Sequence, residues 1–142
     1  MKNDPKVASE KDRQCRADLW IRTDDGQELW CDVSIPEPGC RSYLKLGSAR
    51  EAGVAARKAE SNKLSHWNSI IHRYGKAAVK AVPIILESTG FLGKSFEAFL
   101  KTIESVSVGP SRAKLISQIS VTLMKCNVDC VREAGRKAFD AL

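Results

Sequence analysis

A mixed α/β domain is the architecture this sequence predicts. Residues 17–35 alternate with period two on either side of an Asp-Asp-Gly turn, which reads as a β-hairpin. Residues 48–73 carry apolar side chains at steps of three and four, which reads as a helix. Residues 79–87, VKAVPIILE, return to a short branched apolar run. A strand that follows a crossover helix is expected to lie parallel beside the hairpin.

Each element has its own signals. Residues 1–16 are polar and are expected to be a flexible segment, leaving 17–142 as one domain. Residues 36–47 hold Pro36, Pro38, Gly39 and Gly47 and read as a loop. Ser48 with Glu51 three residues on forms a capping-box pattern for the long helix, and Gly75 suits its end. Pro83 places the third strand at an edge, at a bulge or at a strand start. The segment STGFLGK over 88–94 is a Gly-containing loop. Helices are expected over 95–106 and about 111–140, parted by Gly109 and Pro110.

Composition narrows the function. The net charge of +6 is compatible with a nucleic-acid partner, although the basic residues are scattered. No stretch approaches the roughly 20 apolar residues of a membrane span. The N-terminus lacks the apolar core of a signal peptide, so a nuclear or cytoplasmic location, without membrane or secretion, is expected. Five cysteines without a secretion signal argue against a disulfide framework. Cys126 and Cys130, one helical turn apart, read as buried free thiols. There is no G-x-S-x-G, no P-loop and no Rossmann glycine pattern.

The hairpin carries the chemistry. Leu19 and Ile21 share one strand face, and Asp18, Trp20 and Arg22 share the other. In the second strand Leu29, Cys31, Val33 and Ile35 oppose Glu28, Trp30, Asp32 and Ser34. A two-residue turn mixes these faces. A three-residue loop, Asp24-Asp25-Gly26, pairs Thr23 with Gln27, Arg22 with Glu28, Trp20 with Trp30 and Asp18 with Asp32. Two carboxylates opposite each other repel, and a hard cation between them removes the repulsion. Asp18 and Asp32 are therefore candidate ligands for Mg²⁺ or Mn²⁺ in a phosphodiesterase. The plainer alternative is two solvated aspartates at a sheet end.

Lys63 lies in the helical stripe of Ala52, Ala56, Ala59, Trp67, Ile70 and Tyr74. A lysine there can reach the aspartates, or it can snorkel beside a core line of Leu64, Trp67 and Ile71. His66 and His72 are six apart on different faces and make a poor joint metal site.

The ordered series RADLWI, ELWCDVSI, AESNKLSHW and VPIILESTGFLG resembles the C-terminal restriction-endonuclease-like domain of non-LTR retrotransposon reverse-transcriptase-like proteins, in the PD-(D/E)xK superfamily. The resemblance covers about residues 16–135, and the segment from Ser111 to Ala134 is similar to the closing helix of such polyproteins. It implies a restriction-endonuclease-like mixed sheet with C-terminal helices, and a metal-dependent DNA endonuclease that nicks target DNA for insertion. Partners implied are DNA, element RNA and a fused reverse transcriptase. Asp18 matches the Asp of the PD element, with Ala17 in place of Pro. Asp32 matches the acidic residue of (D/E)xK, while Ser34 stands where its lysine belongs. Lys63 matches a helix position that supplies that lysine, and Glu87 matches a recurrent acidic position before the Gly loop. No polymerase motif such as YxDD is present, so the chain reads as a detached tail or an inactive remnant of such a polyprotein. The competing reading is a catalytically inactive nucleic-acid-binding or interaction module on the same fold.

Overall fold

The computed structural model describes residues 17–73, 75–76, 78–106 and 111–140. The expected flexible segment 1–16, Tyr74, and the Gly109-Pro110 break lie outside the described residues. The elements run β1 (Leu19–Arg22), β2 (Glu28–Ser34), α1 (Arg41–Leu44), α2 (Val54–Arg73), β3 (Val79–Ile85), α3 (Lys94–Val106) and α4 (Arg112–Asp140). Among the described residues one mixed sheet has the order β1-β2-β3. β1 and β2 are antiparallel, and β2 and β3 are parallel, as the crossover helix requires.

The turn chemistry fixes the hairpin register. Thr23 N–H donates to Gln27 O at 2.9 Å, and Gly26 takes φ 83°, the left-handed residue of a three-residue loop. Thr23 Oγ1 also donates to Asp25, which holds that carboxyl below its usual range together with the Gln27 N–H. Trp20 then pairs with Trp30 and Arg22 with Glu28. The ladder ends at Leu19 opposite Cys31, so the expected Asp18–Asp32 rung does not form. The chain bends at Asp18, and its side chain, rather than the backbone of Ala17, meets the next inward N–H of β2.

Pro83 sits in β3 without costing a ladder bond. Glu28 N–H donates to Ala78 O and Leu86 N–H to Ser34 O, so Lys80, Val82 and Ile84 point their amides at β2. Pro83 belongs to the opposite set, where its missing N–H faces the outer edge.

Helices cover both faces of the sheet. On one face Trp30, Trp67, Ile70 and Ala81 form a cluster, with Ala56, Ala59 and Ile85 continuing it along α2. On the other, Leu29, Cys31, Val82 and Ile84 pack against Phe96 and Leu100 of α3, with Leu115, Ile116 and Ile119 of α4 alongside. The face bearing Trp30 and Asp32 is thus a core face and not a solvent face. Conversely Leu19, Val33 and Ile35, on the apolar face, stay exposed where α3 and α4 do not reach. Burial of Cys31 pushes its thiol up.

Three further expectations need correction. The long helix starts at Val54 and not at Ser48: Ser48 Oγ donates to Pro38 O at 2.6 Å, and Glu51 pairs with Arg57. Gly53, at φ 78°, precedes the helix under the Phe91 ring, which an added Cβ would meet at 2.4 Å. The 36–47 loop contains the short helix α1, closed by Gly47 at φ 95°. Cys126 and Cys130 are free but exposed, because α4 outruns the core beyond Leu123. The helix end matches expectation: Lys76 N–H bonds to Ile71 O and Gly75 N–H to His72 O, a Schellman motif with Gly75 at φ 61°. No helix among the described residues is long and apolar enough to cross a membrane.

Candidate functional site

The site lies where the free ends of β1 and β2 meet the middle of α2. Asp32 alternates onto the α2 side of β2, two residues after Trp30. Lys63 and Trp67 are four apart on α2, so they face the same way one turn apart. Both reach Asp32. Lys63 Nζ lies 2.9 Å from Asp32 Oδ1 and 2.8 Å from Oδ2. Trp67 Nε1 donates to Oδ2 at 2.7 Å. The Asp32 residue is 8% exposed, so these donors replace the water that a carboxylate this buried has lost. Lys63 is half-buried, with its head at the rim.

An aromatic arrangement fixes the donors. Trp67 meets Trp30 edge to face, with centroids 5.6 Å apart and planes at 82°. Lys76 Nζ stands 5.1 Å over the Trp30 ring. His66 sets its ring edge-on to Trp67, outside the aspartate site, and His72 lies in the last turn of α2. The Trp30 indole N–H is buried without a partner among the described residues.

Asp18 is anchored separately. Its Oδ2 accepts the Val33 N–H at 2.7 Å. The carboxylate therefore sits at the backbone of the residue next to Asp32, although not as a ladder partner. Asp18 itself is exposed. Of the four residues singled out, the structure brings together Asp32 and Lys63, with Asp18 one residue away along β2.

Glu87 goes elsewhere. It is 2% exposed, and its Oε1 accepts the Ala56 N–H at 2.8 Å while Thr89 Oγ1 donates to Oε2 at 3.2 Å. Ala56 is in the first turn of α2, so Glu87 caps that helix and complements its dipole. Lys63 is seven residues further along, about 10 Å at the helical rise. A second such device leaves no mark in the sequence pattern. Glu60, 8% exposed, accepts the Ser95 N–H at 2.5 Å and caps α3 in the same way. Glu87 thus ties the start of α2 to the segment after β3, and Glu60 ties the start of α3 to α2.

Trp67 is the functional partner that periodicity missed, because its place in the apolar stripe reads fully as core. The i, i+4 spacing from Lys63 was the available signal.

The donor set suits a hard cation. Asp18 and Asp32 offer only carboxylate oxygens; Asp18 Oδ2 and Asp32 Oδ1 each keep a lone pair beyond the donor they meet, whereas Asp32 Oδ2 already meets both Lys63 and Trp67. Among the described residues no group of three His, Cys, Asp or Glu side chains assembles. A cation here would take two protein carboxylates and fill its remaining positions with water and phosphate, the habit of Mg²⁺. No protein-family model, no curated protein and no solved structure matches this chain.

Proposed function

We propose that this chain is a metal-dependent DNA endonuclease domain of the restriction-endonuclease-like kind, derived from a retrotransposon reverse-transcriptase polyprotein. The carrying observation is the Lys63–Asp32 contact. Ser34 leaves the motif position on β2 without a lysine, and Lys63 brings an ammonium to the same carboxylate from α2.

Asp18 and Asp32 would hold Mg²⁺ or Mn²⁺, which when bound would supply charge to polarise the scissile phosphate and to lower the pKa of water. Lys63 places a compact positive charge where negative charge grows on the phosphate. Trp67 fixes the Asp32 carboxylate in one orientation from a rigid aromatic pair, and Val33 N–H does so for Asp18. DNA is the partner, in a nuclear or cytoplasmic setting, with the reverse transcriptase in the parent polyprotein.

The second reading, an inactive binding module, also has a specific observation behind it. Both Asp32 oxygens already receive protein donors, so the buried charge is balanced without a metal. Nicking of supercoiled plasmid in Mg²⁺ or Mn²⁺ separates the two. Wild-type protein should nick, Lys63→Ala should not, and Lys63→Arg should rescue poorly because a planar guanidinium is no point charge. The exposed Lys45 and Lys58 are controls whose loss costs only general DNA affinity. No nicking by wild type, with no Mn²⁺ binding by calorimetry at millimolar concentration, leaves the module reading.

A further inference from the structure

We infer that Trp20 is a stacking platform for an unpaired DNA base next to the Asp18–Asp32–Lys63 site. The inference rests on the endonuclease reading for its location and deepens it by naming the form of DNA.

The three tryptophans are treated unequally by the fold. Trp30 and Trp67 are each 2% exposed, whereas Trp20 is 45% exposed. Yet Trp20 is the cross-strand partner of Trp30 and lies on the same sheet face. It sits past the cover that α2 gives to Trp30, on the outer strand β1. Its ring is not loose: the indole Nε1 donates to Glu28 Oε2 at 3.3 Å, which holds one edge of a side chain that is only partly exposed.

Position and charge select the occupant. Trp20 is two residues from Asp18, at most about 7 Å of chain at the full rise of a strand, within the span of one nucleotide. A phosphate at the carboxylates therefore brings a neighbouring base within reach of the indole. Arg22 follows on the same face opposite Glu28, Lys63 stands at Asp32, and Lys76 stands over the Trp30 ring, so cations for a phosphate backbone alternate here with carboxylates. A partly exposed aromatic ring with cations in reach is the recognition chemistry of single-stranded nucleic acid, tolerant of sequence because every base has a π face. In an intact duplex the base faces are already stacked on each other. The strand next to the cut is therefore engaged unpaired, from a melted, flapped or already nicked end.

The test is binding of a fluorescein-labelled 12-nucleotide oligothymidylate to the full chain, by anisotropy in Ca²⁺, a hard oxygen-seeking ion that can sit between phosphate and carboxylates, with the oligonucleotide checked to be intact on a denaturing gel. A 12-base-pair duplex is the comparison. Trp20→Ala should weaken single-strand binding about tenfold, and Trp20→Phe, which keeps a π face, by less than about threefold. Trp20→Leu, which keeps apolar bulk without a π face, should behave as Trp20→Ala. Duplex affinity should change little in all three. Because Trp20 is exposed, thermal unfolding of the variants should match wild type, and Trp20→Phe against Trp20→Leu keeps the test valid if the alanine variant is destabilised. Equal single-strand affinity of wild type and Trp20→Leu overturns the inference, as does wild-type preference for the duplex. Its failure is distinct from that of the endonuclease reading. Metal-dependent nicking with no Trp20 effect sinks the platform alone. A Trp20 effect without any nicking sinks the nuclease and leaves the platform.

Discussion

Lys63 Nζ spans the Asp32 carboxylate, 2.9 Å from Oδ1 and 2.8 Å from Oδ2, while Trp67 Nε1 donates to Oδ2 at 2.7 Å. Three side chains from two elements thus share one buried negative charge. Lys63→Ala removes the ammonium but leaves the indole. The buried carboxylate then lacks a counter-charge, a large penalty in a dry interior. The site is rim-exposed on the lysine side, with 35% of that side chain accessible, so water moderates the loss. We expect destabilisation of about 1–2 kcal/mol by urea unfolding. Millimolar Mg²⁺ should stabilise Lys63→Ala more than wild type, since it need not compete with the ammonium. An identical Mg²⁺ response would remove the cation from the proposal.

Glu87 makes a contrasting prediction. Its carboxylate caps α2 at Ala56 and touches no part of the aspartate site. Glu87→Ala should cost about 1–2 kcal/mol, the range for a lost cap with its dipole term. Glu87→Gln should cost less, because an amide oxygen still accepts the Ala56 N–H. Nicking per folded molecule should survive in Glu87→Gln. Loss of nicking with full folding would return Glu87 to the catalytic set.

Thiol chemistry checks the packing. Cys31 is fully buried with its thiol pushed up, whereas Cys40, Cys126 and Cys130 are exposed. Thiolate is the reactive form, so a neutral-pH disulfide reagent should modify the exposed three quickly. Cys31 should react only at the rate of unfolding. Fast modification of Cys31, read by peptide mass mapping, would contradict the core described on the α3 side.

What was legible in the sequence was what short-range chemistry determines. The hairpin register followed from Gly26 and face matching, and the helix end from Gly75. The parallel β3 followed from the crossover. The start of α2 was misread because Ser48 and Glu51 satisfy a capping pattern locally, yet their partners, Pro38 and Arg57, are set by loop packing. Glu60 and Glu87 were opaque because each caps a helix that is distant in sequence, Glu87 by 31 residues and Glu60 by 35. In the site, Lys63 was visible as a charge in an apolar stripe. Asp18 was placed near Asp32 by register, but the bend that hands its carboxylate to Val33 leaves no mark in alternation.

The two aspartates should respond differently to the same isosteric change. Asp18 Oδ2 accepts one donor, the Val33 N–H, and an asparagine oxygen can accept it equally. Asp18 is also exposed, so its charge contributes little to folding. Asp18→Asn should therefore change stability by less than about 0.5 kcal/mol, as surface replacements do. Asp32 accepts donors on both oxygens. An asparagine there must turn its NH₂ toward either the Lys63 ammonium or the Trp67 indole N–H. Donor then faces donor in a buried place, and a charge loses its partner. Asp32→Asn should cost about 2–3 kcal/mol. Asp18→Asn is accordingly the clean probe of chemistry, since it removes one carboxylate ligand without disturbing the fold. Under the endonuclease reading it should abolish plasmid nicking while leaving the urea midpoint in place. A folded Asp18→Asn protein that nicks at the wild-type rate in Mn²⁺ would show that Asp18 holds only the end of the hairpin, as its bond to Val33 already does.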